Sequence, residues 1–538
     1  MTDPAPDADR RSRTQAAWLL LALIVAGSVA VRLRLLDIPL ERDEGEYAYA
    51  GQLLLQGVPP YVEAFNMKNP GVYVAYAVAM GLLGETVRAI HGGAIAFNAA
   101  AILMVFLLGL RLAGRTVAVA AAAAFAFLSL SASVLGFSAN SEHFLLLPAL
   151  GGLLVLDAAL RRRRNGLLVL AGVLLGLSYV MKQHGAAFVA LGAVWLLLAE
   201  RAERPLLPLR AVRRLLLLAA GAAAPFALVC LWLWGAGAFP SFFFWTFRYA
   251  RHYVGQVDIA TGFALFGTQA RAIVAAAPLL WALAAVGLAT LSRGPAAREQ
   301  TPQILSLAGL SFLAICPGLL FRSHYFILLL PAAALLAGVA VENLRAAVSR
   351  RGTPALGLAA AGIVLGASLA TALWGERDYL FRLGPEEISR LCYGPNPFVE
   401  SVEVSRYIRE HSAATDRVAV LGSEPQIFFY ARRRSATGFI YTYALMEPQP
   451  FALAMQRRMA GEIARARPRH AVWIGAPTSW LRRPESHDDI FRWWGEYRNH
   501  YRVVGIGVPR GDAIAMRWGP ASETEGLESP LVVYERID

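Results

Sequence analysis

Apolar runs near the length needed to cross a bilayer, roughly 20 residues, alternate with short arginine-rich breaks over the first 374 residues. About eleven such runs can be drawn, at approximately 16–36, 91–110, 116–134, 143–160, 166–181, 184–199, 212–234, 270–291, 302–320, 324–343 and 355–374. Basic residues fall in alternate breaks: Arg111/Arg115, Arg161–Arg164, Arg201 to Arg214, Arg293/Arg298 and Arg345/Arg350/Arg351. All of them lie on one side, with the basic N-terminus, if 70–85 (PGVYVAYAVAMGLLGE) is not a span. The positive-inside rule then puts the N-terminus in the cytoplasm and the chain beyond 374 outside. The stretch 70–85 is read as a helix that dips into or lies along the outer surface.

After residue 374 the pattern changes. RVAVLG (417–422), HAVWIG (470–475) and YRVVGIGV (501–508) predict strands, while 398–412 and 424–433 have helical spacing. The expected architecture is an α-helical polytopic membrane protein with a soluble C-terminal α/β domain. Its parts are a disordered cytoplasmic start (1–15), a transmembrane domain (16–374) with a long outer loop (37–90), and an extracytoplasmic domain (375–538). The first run is too long for a signal-peptide core and reads as an uncleaved span.

Composition sharpens this picture. The chain is 57% hydrophobic and 17% charged, too apolar for one soluble globule. The formal charge of +13 does not indicate nucleic acid, because the basic residues punctuate apolar runs and form no patch. Three cysteines, two of them inside apolar runs, give no disulfide framework. GSEP after the first tail strand is not a glycine-rich phosphate loop.

The charges that remain gather in the predicted outer segments. LERDEGEYAYAG (40–51) carries Glu41, Arg42, Asp43, Glu44 and Glu46, and NMKNPG (66–71) carries Lys68. SANSEHF (138–144) adds Glu142 and His143, and MKQHG (181–185) adds Lys182. SFFFWTFRYARHY (241–253) holds Arg248, Arg251 and His252, and FRSHYF (321–326) holds Arg322, His324 and Tyr325. A carboxylate can take a proton from a hydroxyl, and nearby cations can hold a phosphate.

These residues, in this order, resemble the C-type glycosyltransferases: RDEGEYAYAGQLLLQG, a Lys-Asn-Pro opening an aromatic helix, LRLAGRTVAVAAAAAFAF, an acid before the next span, and HYFILLLPAAALLAG (324–338). The nearest branch is that of protein O-mannosyltransferases and aminoarabinose transferases, with the bacterial family-39-like group. The resemblance covers roughly 16–345. It implies a polyprenyl-phosphate sugar donor and inverting transfer to a glycan, lipid or protein acceptor outside a bacterial inner membrane. It implies Asp43 as base with Glu44 beside it, Lys68 on the lipid phosphate and Glu142 as the second-loop acid. Lys182, Arg248, Arg251, Arg322, His324 and Tyr325 are further candidates for the donor phosphate or lipid. Relatives often show Lys-Pro-Pro, where Asn69 here separates Lys68 from Pro70.

Plainer readings stand beside these. Asp43 and Glu46 fit a capping box. Lys68 can snorkel to headgroups. Glu142 can sit at a helix N-terminus for its dipole. The aromatic stretch can be an interfacial belt. Asp43 and Glu142 can share a divalent cation, although no D-x-D is present, and the metal stays unassigned. Two other functions compete, a flippase for lipid-linked saccharides and a non-catalytic scaffold whose tail binds a partner. A flippase would place ionisable groups within the spans, which here are nearly free of acids.

Overall fold

The structure, a computed structural model, describes residues 6–203, 209–294, 297–511, 513–520, 525 and 529–538. Among these, eight helices are long and apolar enough to cross a membrane, which makes this a multi-pass membrane protein. They include α1 (Pro6–Arg34), followed by α2 (Arg42–Leu55) and α3 (Gly71–Leu83), which do not qualify by length. Then come α4 (Val87–Leu112), α5 (Arg115–Leu128), α6 (Ser141–Arg162), α7 (Asn165–Met181), α8 (Ala186–Glu203) and α9 (Leu209–Gly235). Helices Ile259–Ala276, Pro278–Thr290, Thr301–Ile315, Leu330–Arg351 and Pro354–Gly375 complete the series.

Two sequence expectations are corrected here. The run 270–291 is broken at Ala277 (φ −146°, ψ 59°), because Pro278 drives the preceding residue out of the helical region. The run 324–343 starts as a helix only at Leu330; Ser323–Leu328 is a 3-10 turn. The helix α1 begins at Pro6, a residue already set to a helical φ at the first helical position. The first five residues of the 1–15 start lie outside the described residues, as does the 204–208 part of the basic loop 201–214. The helix α3, at 13 residues, falls short of a bilayer crossing.

The contacts divide the chain into two compact units that cut across sequence order. The helical unit comprises Met1–Leu36, His91–Cys230 and Tyr253–Leu383. At its centre Leu330–Arg351 packs against α5 and Pro278–Thr290. The helix Ile259–Ala276 packs against the turns at Ala132–Val134 and Pro317–Leu319. Buried Arg32 closes the end of α1 by donating to the carbonyls of Ser129 (2.7 Å) and Gly136 (2.5 Å).

The second unit comprises Asp37–Ile90, Leu231–His252 and Gly384–Asp538. Its six-stranded sheet has the order β2-β1-β3-β6-β4-β5. The strands are β1 (Arg417–Leu421), β2 (Arg434–Ser435), β3 (His470–Ile474), β4 (Tyr501–Arg510), β5 (Ala513–Trp518) and β6 (Leu531–Arg536). The first three are parallel, and β6, β4 and β5 join antiparallel. β1 is buried from Val418 to Leu421, as that apolar run requires of a parallel strand covered on both faces.

The outer loop is built into this unit. The helix α2 lies against α3 and against the short helix Gln426–Ala431. Gly45 makes the second contact possible: a Cβ there would stand 2.5 Å from the backbone nitrogen of Gln426. Tyr49 Oη accepts from the Ser435 amide (2.8 Å), and Tyr430 Oη from the Leu40 amide (2.8 Å).

Candidate functional site

The four acids of LERDEGEYAYAG separate into two pairs, each three residues apart and therefore each sharing a helix face. Glu41 and Glu44 form the N-terminal cap of α2. The Glu41 carboxylate accepts from the Glu44 amide (3.1 Å), and Glu44 accepts in return from the Glu41 amide (3.4 Å). Glu44 is fully buried in this role. The capping box is therefore two residues earlier than the sequence suggested for Asp43 and Glu46. Glu44 thus supports the helix end. Burial, with the charges of Asp43 and Glu44, pushes Glu41 up to about 8.

Asp43 and Glu46 hold Lys68 between them. Lys68 Nζ is 2.9 Å from Asp43 Oδ1 and 2.9 Å from Glu46 Oε2. It stands 4.5 Å from the Tyr47 ring centroid. Burial alone would lower the lysine pKa, but the two carboxylates override it and hold it well above the ordinary value. Glu46 is 1% exposed and also accepts from Tyr73 Oη (2.5 Å). Burial raises Glu46 even against the pull of Lys68. Tyr61 fixes the backbone beneath the lysine by donating to the Lys68 carbonyl (2.7 Å). Asp43 is the open member, with 27% of its side chain exposed. It accepts from Tyr441 Oη at 2.9 Å.

Arg42, for which the sequence offered no task, ties α2 to the residues that follow β1. It donates to the Ser423 carbonyl (2.6 Å), Glu424 Oε1 (2.6 Å) and Asn396 Oδ1 (3.1 Å). Its guanidinium lies over Phe398 and Tyr443. The phase of the helix could have pointed to Glu46 as the partner of Lys68. Tyr441 has no such signal, because it lies in a loop nearly 400 residues away in the chain.

In the same unit, a cavity of ≈ 550 Å³ is lined by Tyr61, Phe65, Trp245, Phe439, Phe451 and Arg458, among others. A second, of ≈ 340 Å³, shares Phe451 and is lined by Arg248, Arg251 and His252 with Phe243 and Phe247. The structure thus places Arg248 and Arg251 in an aromatic groove, while Tyr61, the residue bonded to Lys68, lines the larger cavity.

The helical unit holds its own buried cluster. Lys182, at the end of α7, donates to Glu142 in the first turn of α6. The Lys182 ammonium lies 4.3 Å from the Tyr325 ring centroid, and His324 Nε2 is 4.0 Å from Glu142 Oε1. Glu142, Lys182, His324 and Tyr325 are thus brought together, while Arg322 is exposed at the start of the same turn. His143 is buried on α6. Among the described residues, no three His, Cys, Asp or Glu side chains converge as metal ligands.

The chain is similar in structure to the crystal structure of ArnT from Cupriavidus metallidurans bound to undecaprenyl phosphate. The TM-score is 0.59 at 16% identity, over 97% of this chain and 98% of that one. The chain shares the fold of that structure. The apo form of the same transferase gives 0.59 at 17% identity, over 97% of this chain and 98% of that one. The archaeal oligosaccharyltransferase AglB from Archaeoglobus fulgidus, in complex with an inhibitory peptide and a dolichol-phosphate, also shares the fold. Its TM-score is 0.53 at 14% identity, over 95% of this chain and 75% of that one. The family model for dolichyl-phosphate-mannose-protein mannosyltransferase matches residues 67–232, which include Lys68, Glu142 and Lys182. No curated protein sequence matches.

Proposed function

We propose that this chain is a glycosyltransferase that moves a sugar from a polyprenyl-phosphate donor to a hydroxyl acceptor on the extracytoplasmic face of a bacterial inner membrane. The observation that carries this reading is Asp43, partly exposed and held by Lys68 and Tyr441, at the start of α2 in a C-type glycosyltransferase fold. Asp43 takes the proton of the acceptor hydroxyl, that oxygen bonds to the anomeric carbon, and the bond to the polyprenyl phosphate breaks. One displacement inverts the sugar. As the proton neutralises Asp43, Lys68 loses half of its counter-charge. Its ammonium is then drawn to the negative charge growing on the leaving phosphate, an attraction strengthened by low-dielectric surroundings.

The aromatic groove with Arg248 and Arg251 suits the hydrocarbon and phosphate of a lipid substrate. In the helical unit, Lys182, His324 and Tyr325 around Glu142 are candidates for a phosphate-bearing group, with Arg322 exposed nearby. The test is transfer from a panel of purified polyprenyl-phosphate sugars by the full chain in detergent or liposomes. Turnover of one or more donors is expected. A chain that hydrolyses or transfers none of them, yet moves lipid-linked saccharide across liposomes, would be a flippase instead.

Orientation belongs to the same proposal. The helix Ile259–Ala276 packs on turns that precede α6 and follow Thr301–Ile315, and the 13-residue Pro278–Thr290 packs along Leu330–Arg351. Together they are read as one broken crossing, which leaves the arginine-rich breaks on a single side. A reporter fused after Leu110 is expected to read as cytoplasmic. A periplasmic signal would invert the scheme.

A further inference from the structure

We infer that Tyr441 is a positioning residue for the reaction: its phenol donates to Asp43 and fixes that carboxylate for the proton of the acceptor. The inference rests on the reading of Asp43 as base. Tyr441 Oη and Lys68 Nζ both approach Asp43 Oδ1, each at 2.9 Å. Burial, then the charge of Asp43, pushes the Tyr441 phenol well above its ordinary value, so it remains a hydrogen-bond donor over any working pH.

The position of Tyr441 is set by a closed frame of bonds. Its neighbour Thr442 donates its amide to Ser423 Oγ (3.0 Å) and its hydroxyl to the Ser479 carbonyl (2.8 Å). The Ser423 carbonyl accepts from Arg42 (2.6 Å), and Arg42 precedes Asp43. Ser423 is also held by Ser479, whose hydroxyl accepts from the Ser423 amide (2.7 Å) and donates to Glu424 (2.5 Å). Consecutive residues of α2, Arg42 and Asp43, are thus gripped from one small network. The residues after β1 hold the arginine, and the loop carrying Tyr441 holds the aspartate. Sequence distance hides this frame completely.

A donor to the ionised form of a carboxylate favours that form, so Tyr441 lowers the pH at which Asp43 becomes a base. The other groups around Asp43 are Glu41, Glu44 and Glu46 from its own segment, Lys68 from the loop before α3, and Tyr76 from α3. Each of these acids, when ionised, disfavours the charge of Asp43, and the phenol and the lysine oppose them.

The experiment measures kcat/KM against pH for the full chain carrying Tyr441→Phe. Losing the phenol raises the Asp43 pKa, so the rising acid limb should move to higher pH by about one unit. Turnover below that limb should fall ~10-fold, a direct consequence of the one-unit shift. Donor KM and the melting temperature should stay unchanged. Thr442→Val, which keeps the phenol but removes a bond that anchors its loop, should move the limb the same way by less. A limb that stays in place in both variants would overturn the role of Tyr441, including the case in which rate and melting temperature fall together. Full turnover by Asp43→Asn would instead overturn the base assignment on which the inference depends.

Discussion

Asp43→Asn is expected to lower sugar transfer by about 10²- to 10⁴-fold, the usual contribution of a positioned general base. The change is nearly isosteric. An amide oxygen at Oδ1 can still accept from Tyr441 and from Lys68, both 2.9 Å from that atom in the native chain. Lys68 keeps its contact with Glu46, and the cap made by Glu41 and Glu44 is untouched. The fold should therefore survive, with an unchanged melting temperature and undiminished binding of polyprenyl phosphate. What disappears is the negative charge that accepts the proton. Single-turnover transfer from a matched donor, with melting as control, separates loss of chemistry from loss of structure. Wild-type turnover in the Asn variant would remove Asp43 from the mechanism.

The second large effect concerns the helical unit. Lys182→Ala should destabilise the chain by about 3–5 kcal/mol, because it strands the Glu142 charge in the interior. Glu142 is fully buried and Lys182 is 7% exposed, so water cannot replace the lost partner. The stacking of the ammonium on Tyr325 is lost as well. The double change Lys182→Met with Glu142→Gln should recover most of the loss, since it removes both charges and keeps the volume. Thermal unfolding in detergent reads both variants. A single variant as stable as wild type would show that Glu142 is not held as a buried charge by Lys182.

Much of the transmembrane layout was legible because bilayer thickness imposes a length and a hydropathy on every span. Where a run failed, the cause was local backbone chemistry. Pro278 split one predicted span, and the Pro317–Gly318 turn, with Gly318 at φ 73°, ended another early. The tail strands at 417, 470 and 501 were readable from their apolar character. β2, β5 and β6 were not; β2 is only two residues long, and β5 has no fully buried position.

The candidate site was half legible. Sequence identified Asp43, Lys68 and Glu142 by charge placed beside apolar runs, and the resemblance gave them roles. Sequence alone assigned the capping box to Asp43 and Glu46, because aspartate is a preferred N-cap residue, whereas the box is formed by Glu41 and Glu44. The choice was made by groups distant in the chain. Gly45 lets Gln426 approach, Arg42 is drawn to Ser423 and Glu424, and Tyr441 reaches Asp43. With α2 held in that phase, the face carrying Asp43 and Glu46 meets Lys68, and the face carrying Glu41 and Glu44 is left to cap the helix. Sequence by itself determined that charges cluster next to the first span, since hydropathy is a local property. Only the tertiary structure decided which of them share a lysine, since that depends on helix rotation fixed by contacts from the far end of the chain.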